Sequence, residues 1–335
     1  MQLSSAGARK RPNSPYIFMK RKRRASTIAC LCILSLGLVG FVVHSCKKKS
    51  QTTLSDSTAL VIGVMPSVDY LPIAVAEQKG FFSQPIKLVH FASPMERDAA
   101  LQTGAVDASV TDYMGAMLLH SKGTDVLLPI ACQGMFRLVL GRSTPLAKIS
   151  DLRGHHVGLS SNTLIEYATE KTLVEGNHPF PYTRVEVQAV PIRLEMLRSG
   201  DLDGAILPEP FASIGVAKGL SAIDLPQGLT SNITGLLFLS KATKKEAALR
   251  SFLMGYDKAV DYICTHPRKE WIGVLQGLLG ISPEVASAIP LPSYTKATLP
   301  RTEDLQPILT WMKGKGLVPT DYNAEGLIRP LIQDN

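Results

Sequence analysis

The chain has 335 residues, 45% hydrophobic and 19% charged, which suffices for a large core and excludes a disordered protein. Five cysteines are too few for a disulfide scaffold. The net charge of +8 lies entirely in residues 1–45, which hold eight Lys and Arg and no Asp or Glu, so that 28 basic residues balance 28 acidic ones in the rest of the chain and charge gives no support for nucleic-acid binding.

The amino-terminal segment is typical of an export signal. A basic stretch that begins at Met19, a possible true start, precedes an uncharged apolar run from Thr27 to Val43. The boundary Val43-His44-Ser45-Cys46 resembles the bacterial lipobox. We predict a lipoprotein-type signal peptide over residues 1–45, lipidation at Cys46 and a polar tether over residues 46–58. The alternative is an uncleaved anchor, for which 17 residues is the short limit.

Beyond the tether, strands alternate with helices and then give way to helices alone. Strands are predicted over 60–64, 86–91, 106–110, 126–131, 136–140, 157–159, 185–190, 205–207 and 236–239. Helices are predicted over 71–79, 94–103, 113–122, 163–175, 192–199, 211–218, 244–265, 268–279, 283–289 and 303–313. This alternation predicts an α/β protein with parallel sheets.

An internal repeat indicates two similar lobes. The segment that begins at Leu101 matches the segment that begins at Leu197, with an offset of 96 and no gap as far as Gly123 and Gly219. Each copy holds a helix end, a glycine turn, an Asp, a strand and a helix. A repeat that occurs twice fits two lobes better than a solenoid.

Two cysteines outside the signal leave alternatives open. Cys132 and Cys264 could pair in an oxidising compartment, or stay as two separate buried thiols, which their apolar neighbours favour.

Four stretches, in order over residues 60–240, resemble a known family. They are the opening strand and the helix that ends at Gly80-Phe81-Phe82, the segment Leu101 to Ala108, the segment Asp151 to Gly158, and the segment Met196 to Phe211. In these motifs the chain resembles the periplasmic solute-binding proteins of ABC importers, in the nitrate, sulfonate, taurine and thiamine-precursor group.

This resemblance implies a type II periplasmic-binding-protein fold, in which two α/β lobes enclose a ligand cleft and two crossovers join them. Lobe 1 would comprise residues 59–140 and 238–335, and lobe 2 residues 141–237. The implied partners are a small-molecule ligand, ABC permease and ATPase subunits, and the membrane through the lipid anchor. No cofactor and no nucleic acid are implied, and a monomer is expected.

The loops after strand ends would supply the ligand contacts, because ligands of open α/β sheets bind there. The candidates are Ser67, Asp69, Tyr70, Thr111, Asp112, Tyr113, Gln133, Ser160, Ser161, Thr163 and Glu209. Helix capping is an equally good interpretation of Ser160, Ser161 and Thr163, and also of the two aspartates. The tyrosines could stack on a ligand or cover the lobe edge. Glu209, between two prolines, is harder to explain as a cap.

The carboxylates in three of these loops favour an amine-bearing, pyrimidine-like or thiamine-like ligand over an anion such as a sulfonate. They could instead pair with Arg97, Arg137 or Arg193. No P-loop, G-x-G-x-x-G or G-x-S-x-G pattern is present, so that we expect a binding protein and not an enzyme. An enzyme or a ligand sensor on the same fold is the alternative.

Overall fold

A computed structural model describes residues 58–142, 148–175, 178–226, 228–229 and 232–332. The predicted signal peptide, Met19, Cys46 and nearly all of the tether lie outside the described residues. No helix within the described ranges is long and apolar enough to cross a membrane.

Twelve strands and ten α-helices are present in the described ranges. The strands are β1 Leu60–Val64, β2 Ile86–His90, β3 Ala108–Asp112, β4 Val126–Cys132, β5 Phe136–Leu140, β6 His156–Leu159, β7 Val174–Glu175, β8 His178–Pro179, β9 Thr183–Glu186, β10 Gly204–Pro208, β11 Ser221–Asp224 and β12 Thr234–Leu239. The helices are α1 Leu71–Gln78, α2 Pro94–Thr103, α3 Tyr113–Ser121, α4 Leu164–Thr172, α5 Val190–Ser199, α6 Phe211–Ala217, α7 Glu246–Thr265, α8 Ile272–Leu279, α9 Pro283–Ala288 and α10 Thr302–Gly314.

The two main sheets have the same strand order. The first sheet runs β2-β1-β3-β12-β4, and the second runs β9-β6-β10-β5-β11. In each sheet the first three strands are parallel, and one antiparallel strand, β12 or β5, lies between the third strand and the last. β7 and β8 form a separate pair. The predicted α/β class with two lobes is therefore confirmed.

The aspartate of the internal repeat has the same structural role in both sheets. The Asp107 carboxylate accepts the Val61 N–H at 2.8 Å, and the Asp203 carboxylate accepts the His156 N–H at 2.9 Å. Each aspartate thus ties the start of the third strand of its sheet, β3 or β10, to the second strand, β1 or β6. Both side chains are buried, and this hydrogen bond explains why each copy of the repeat has an aspartate at this position.

The antiparallel strands correct the predicted lobe boundaries. β5 was assigned to lobe 1, but it pairs with β10 and β11 in the second sheet. The first four residues of β12 were assigned to lobe 2, but the whole strand lies in the first sheet. The crossovers therefore lie between β4 and β5 and between β11 and β12. Apolar periodicity shows that a strand is buried but not which strand it pairs with, so the error arose there.

The carboxyl-terminal helices contact both lobes. α7 and α8 pack on α1, in the core beneath the first sheet, as predicted. However, α9 also contacts α6 of the second lobe, and α10 contacts α3 as well as Tyr167 of α4 through Trp311. The prediction that these helices pack on lobe 1 was incomplete.

Both cysteines in the described ranges are free thiols. Cys132 is buried at the end of β4, where burial raises the pKa of its thiol. Cys264 is exposed on α7, next to the buried Ile263, because successive residues of a helix face different directions. The expectation that both thiols are buried was wrong for Cys264.

Candidate ligand-binding cleft

The carboxyl edges of the two sheets meet at the crossovers. The start of β12 pairs with the last residues of β3 and β4, and the start of β5 pairs with the last residue of β10. Both crossovers therefore run from the carboxyl edge of one parallel set of strands to that of the other. The loops after β1, β3, β6 and β10 are the loops that this arrangement brings to the cleft.

In lobe 1, a buried cluster forms around Asp69 and Arg97. Arg97 is 5% exposed; its Nη2 donates to Thr111 Oγ1 at 2.7 Å, and its Nε donates to Asp98 Oδ1 at 2.9 Å. Burial raises the pKa of Asp69 to about 6, although a hydrogen bond with Ser67 and the charge of Arg97 lower it. Ser67 and Arg97 therefore offset only part of the cost of burying this charge. A ligand that brings a hydrogen-bond donor or a positive charge would stabilise the carboxylate further.

Asp112 caps α3 and also belongs to this cluster. Its Oδ1 accepts the Gly115 N–H at 2.8 Å, so the capping interpretation describes what the side chain does here. Burial raises its pKa, and Arg97 lowers it in part. The cluster thus places two cleft carboxylates, Asp69 and Asp112, beside one guanidinium.

The two predicted tyrosines lie in the cores. Tyr70 is 1% exposed and packs edge-on against His90, and Tyr113 is fully buried. Neither hydroxyl has a hydrogen-bond partner among the described residues. Tyr70 also lines an open groove of about 450 Å³ between α1, β2 and α8. Both tyrosine rings therefore pack in the protein interior.

Gln133 occupies the first crossover and is held on both sides of its amide. Its Nε2 donates to Thr295 Oγ1 at 2.9 Å, and its Oε1 accepts the Thr295 N–H at 3.1 Å. The side chain is buried and ties the crossover to the segment before α10. The amide therefore fixes the position of the crossover relative to the carboxyl-terminal part of the chain.

The loop after β6 makes capping contacts. The Thr163 hydroxyl accepts the Ile165 N–H at 3.2 Å as the cap of α4, and lies 3.0 Å from Ser160 Oγ. Ser161 donates its backbone N–H and its hydroxyl to Glu186. These polar groups hold the loop itself, so any ligand contact would have to share them.

Glu209, after β10, is fully buried. Its Oε2 accepts the Ser213 N–H at 3.0 Å, while its Oε1 has no hydrogen-bond partner among the described residues and lies 3.9 Å from Arg137 Nη1. Burial raises the pKa of the carboxyl, which Ser213 and Arg137 lower in part. Its own N–H donates to Met135 O at 2.9 Å, at the crossover. Glu209 thus does act as a cap, and its Oε1 has no hydrogen bond among the described residues.

Comparisons with known proteins agree with this fold. Residues 54–151 match the NMT1-like family. The aliphatic sulphonate binding protein SsuA of Escherichia coli is 18% identical, with a TM-score of 0.63 over 81% of this chain and 97% of that chain. A ligand-binding component of an ABC-type import system from Staphylococcus aureus is 17% identical, with a TM-score of 0.66 over 81% and 96%. The nitrate-binding protein NrtA of Synechocystis PCC 6803 is 13% identical, with a TM-score of 0.61 over 79% and 83%.

This is the type II periplasmic-binding-protein fold. The resemblance to ABC-importer solute-binding proteins that the sequence motifs carry is confirmed, and the proteins with this fold named above are binding proteins. No curated protein sequence is significantly similar to the chain.

Within the periplasmic-binding-protein fold, sequence reasoning missed the central place of Arg97, which it named only as a pairing partner. The available signal was its position one helical turn before Leu101, where the repeat begins. Among the described residues, no group of three or more His, Cys, Asp or Glu is placed to hold a metal ion.

Proposed function

We propose that the protein is the solute-binding component of an ABC importer, lipid-anchored outside the cytoplasm through Cys46, and that its lobes close around a small organic molecule. The observation that carries this proposal is the cluster of Asp69, Arg97, Thr111 and Asp112 at the carboxyl edge of the first sheet, facing the crossovers. Ligands of open α/β sheets bind at such edges.

Two solute classes are consistent with the proposal. The excess of carboxylates favours an amine-bearing, pyrimidine-like solute related to thiamine precursors. The similar proteins named for sulphonate and nitrate support a sulfonate-like solute. Closure around either solute would create the form that a permease recognises.

A two-arm panel tests the proposal on the soluble chain from residue 53. An aminopyrimidine arm and an alkanesulfonate arm are compared by calorimetry, and each binder is examined by solution X-ray scattering. We expect one arm to bind with a decrease in the radius of gyration, because closure brings the lobes together. Tight binding without compaction would contradict lobe closure. Chemical conversion of the bound compound would instead favour an enzyme on the same fold.

A further inference from the structure

Arg193 is a buried cation for which the described residues provide no hydrogen bond. The side chain is 1% exposed, and its Nε and Nη1 have no hydrogen-bond partner among these residues. Burial lowers the pKa of the guanidinium to about 10, and the charge of Glu186 offsets this only in part. The group therefore remains positive at neutral pH. A buried charge without partners is rare unless a ligand or ion supplies them.

Arg193 has a counterpart in lobe 1. It lies 96 residues after Arg97, which is the offset of the internal repeat, and α5 and α2 each have ten residues in register at that offset. Side chains of a helix lean toward its amino end, and Arg97 reaches the carboxyl ends of β1 and β3 in this way. The equivalent direction for Arg193 is the carboxyl edge of the second sheet, where the cleft lies.

The acceptors that surround Arg97 are absent around Arg193. In lobe 1, Asp98 and Thr111 accept from the arginine, Ser93 caps α2, and Glu96 lies in its first turn. Each of these four polar residues has an apolar residue at the offset of 96. Those residues are Ala189, Ile192, Leu194 and Leu207.

The amino end of α5 adds to the positive character of this place. The helix has no side-chain cap and no acidic residue in its first turn. Unpaired N–H groups and the helix dipole make such an end favourable for an anion. Side chains of lobe 1 thus accept hydrogen bonds from Arg97 and from the amino end of α2. In lobe 2 the residues at the equivalent positions are apolar, and their side chains offer no acceptor to Arg193 or to the amino end of α5.

We propose that Arg193 and the amino end of α5 form an oxyanion subsite, which a carboxylate, sulfonate or phosphate group of the solute occupies. This rests on the proposed function, because it names a group that the captured solute carries. Arg193 is almost fully covered, so an anion reaches it only when the residues above it move, and it is then shielded from water. The solute can carry an amine as well, which Asp69 of the other lobe would receive.

The test uses ethanesulfonate and inorganic sulfate as probes, with NaCl added to keep the ionic strength constant. The melting temperature of the chain from residue 53 onward is measured against probe concentration for the wild type, Arg193→Met and Arg198→Met. We expect a probe to stabilise the wild type, and Arg193→Met to need at least about tenfold more of it, as loss of charge-assisted hydrogen bonds implies. Without probe, Arg193→Met should be no less stable than the wild type, because it removes an unpaired buried charge.

Arg198→Met is the control for the loss of an arginine from the same helix. Arg198 lies in the last turn of α5, away from the proposed subsite, and pairs with Glu195. Its removal should change the melting temperature little, because the ion pair is partly exposed, and should leave the response to the probe unchanged. If Arg193→Met does not fold, Leu207→Thr replaces it. This change restores the hydroxyl that Thr111 provides in lobe 1, and it should weaken the probe response by engaging the guanidinium internally.

Three outcomes would overturn the oxyanion subsite: no response of the wild type, an equal response in Arg193→Met, or an unchanged response in Leu207→Thr. An alkanesulfonate that binds Arg193→Met as tightly as the wild type and compacts both proteins would also overturn it, but would leave the solute-binding function intact. The opposite combination of results separates the oxyanion subsite from the proposed function as well. A probe response that depends on Arg193, without closure on any organic solute, supports the subsite and contradicts the proposed function.

Discussion

Burial of the ionised Asp69 carboxylate lowers the free energy of unfolding, and a role in binding the solute would explain this cost. Its folded pKa of about 6 lies above the ordinary value of 3.8, so its contribution to stability is fully present below about pH 3.8 and is lost as the pH rises through 6. Asp69→Asn should therefore raise the free energy of unfolding at pH 8 by up to about 3 kcal/mol. Denaturant titrations of both proteins should show no difference near pH 3.5 and a growing one between pH 4 and 6. A variant that is less stable than the wild type at pH 8 would contradict this explanation.

Glu209 offers a second test at the residue scale. If its Oε1, which has no hydrogen bond among the described residues, accepts one from the solute, Glu209→Gln should weaken binding by roughly 1.5–3 kcal/mol, the usual contribution of such a bond. The melting temperature should change little, since the amide oxygen can still accept the Ser213 N–H. Calorimetry with the solute that the panel identifies decides between the roles. Unchanged affinity makes the oxygen a bystander, and a large loss of stability makes the residue structural.

At the scale of elements, α10 links the lobes through α4. Lys315, just after α10, lies 2.6 Å from Glu170 and 3.2 Å from Glu166, and Trp311 Nε1 donates to Glu170 at 2.8 Å. α10 also packs on α3 of lobe 1, so this network holds the two lobes in one arrangement.

Lys315→Ala should favour the open arrangement. We expect a larger radius of gyration without solute, and solute affinity weaker by roughly two- to tenfold, which is modest because the lysine is partly exposed. Scattering and calorimetry measure the two quantities. Lys313→Ala is the control, since Lys313 makes no ion pair among the described residues. Identical behaviour of the two variants would show that the network does not restrain the lobes.

Much of the element order could be predicted, and the failures have physical causes. α2 and β5 have the bounds that the sequence predicts, because Pro94, Gly104 and a compact apolar run mark them. β11 escaped prediction because Ser221–Asp224 is a short edge strand with exposed ends and little apolar content. In the site, the loops were predicted but Arg97 was not recognised as central, since a helix residue gives no local signal of which strand ends it reaches.

At the scale of the whole molecule, attachment to the membrane is the property that the proposed function requires. Cys46→Ala should abolish acyl labelling and release the protein from membranes, because Cys46 is the proposed lipid attachment point. Membrane fractionation of cells that express each form measures this. A variant that stays with the membrane would show that the apolar run Thr27–Val43 is itself an anchor.

The exchange of β12 and β5 between the two halves of the chain has a consequence for the order in which the protein folds. The second sheet comes from one continuous stretch, β5 to β11, whereas β4 pairs with no described strand except β12. A chain that emerges with its amino end first can thus complete its second sheet while β4 still lacks a partner and β3 has an open edge. Such edges invite aggregation. A chain interrupted before Leu239 therefore keeps these open edges and is prone to aggregate.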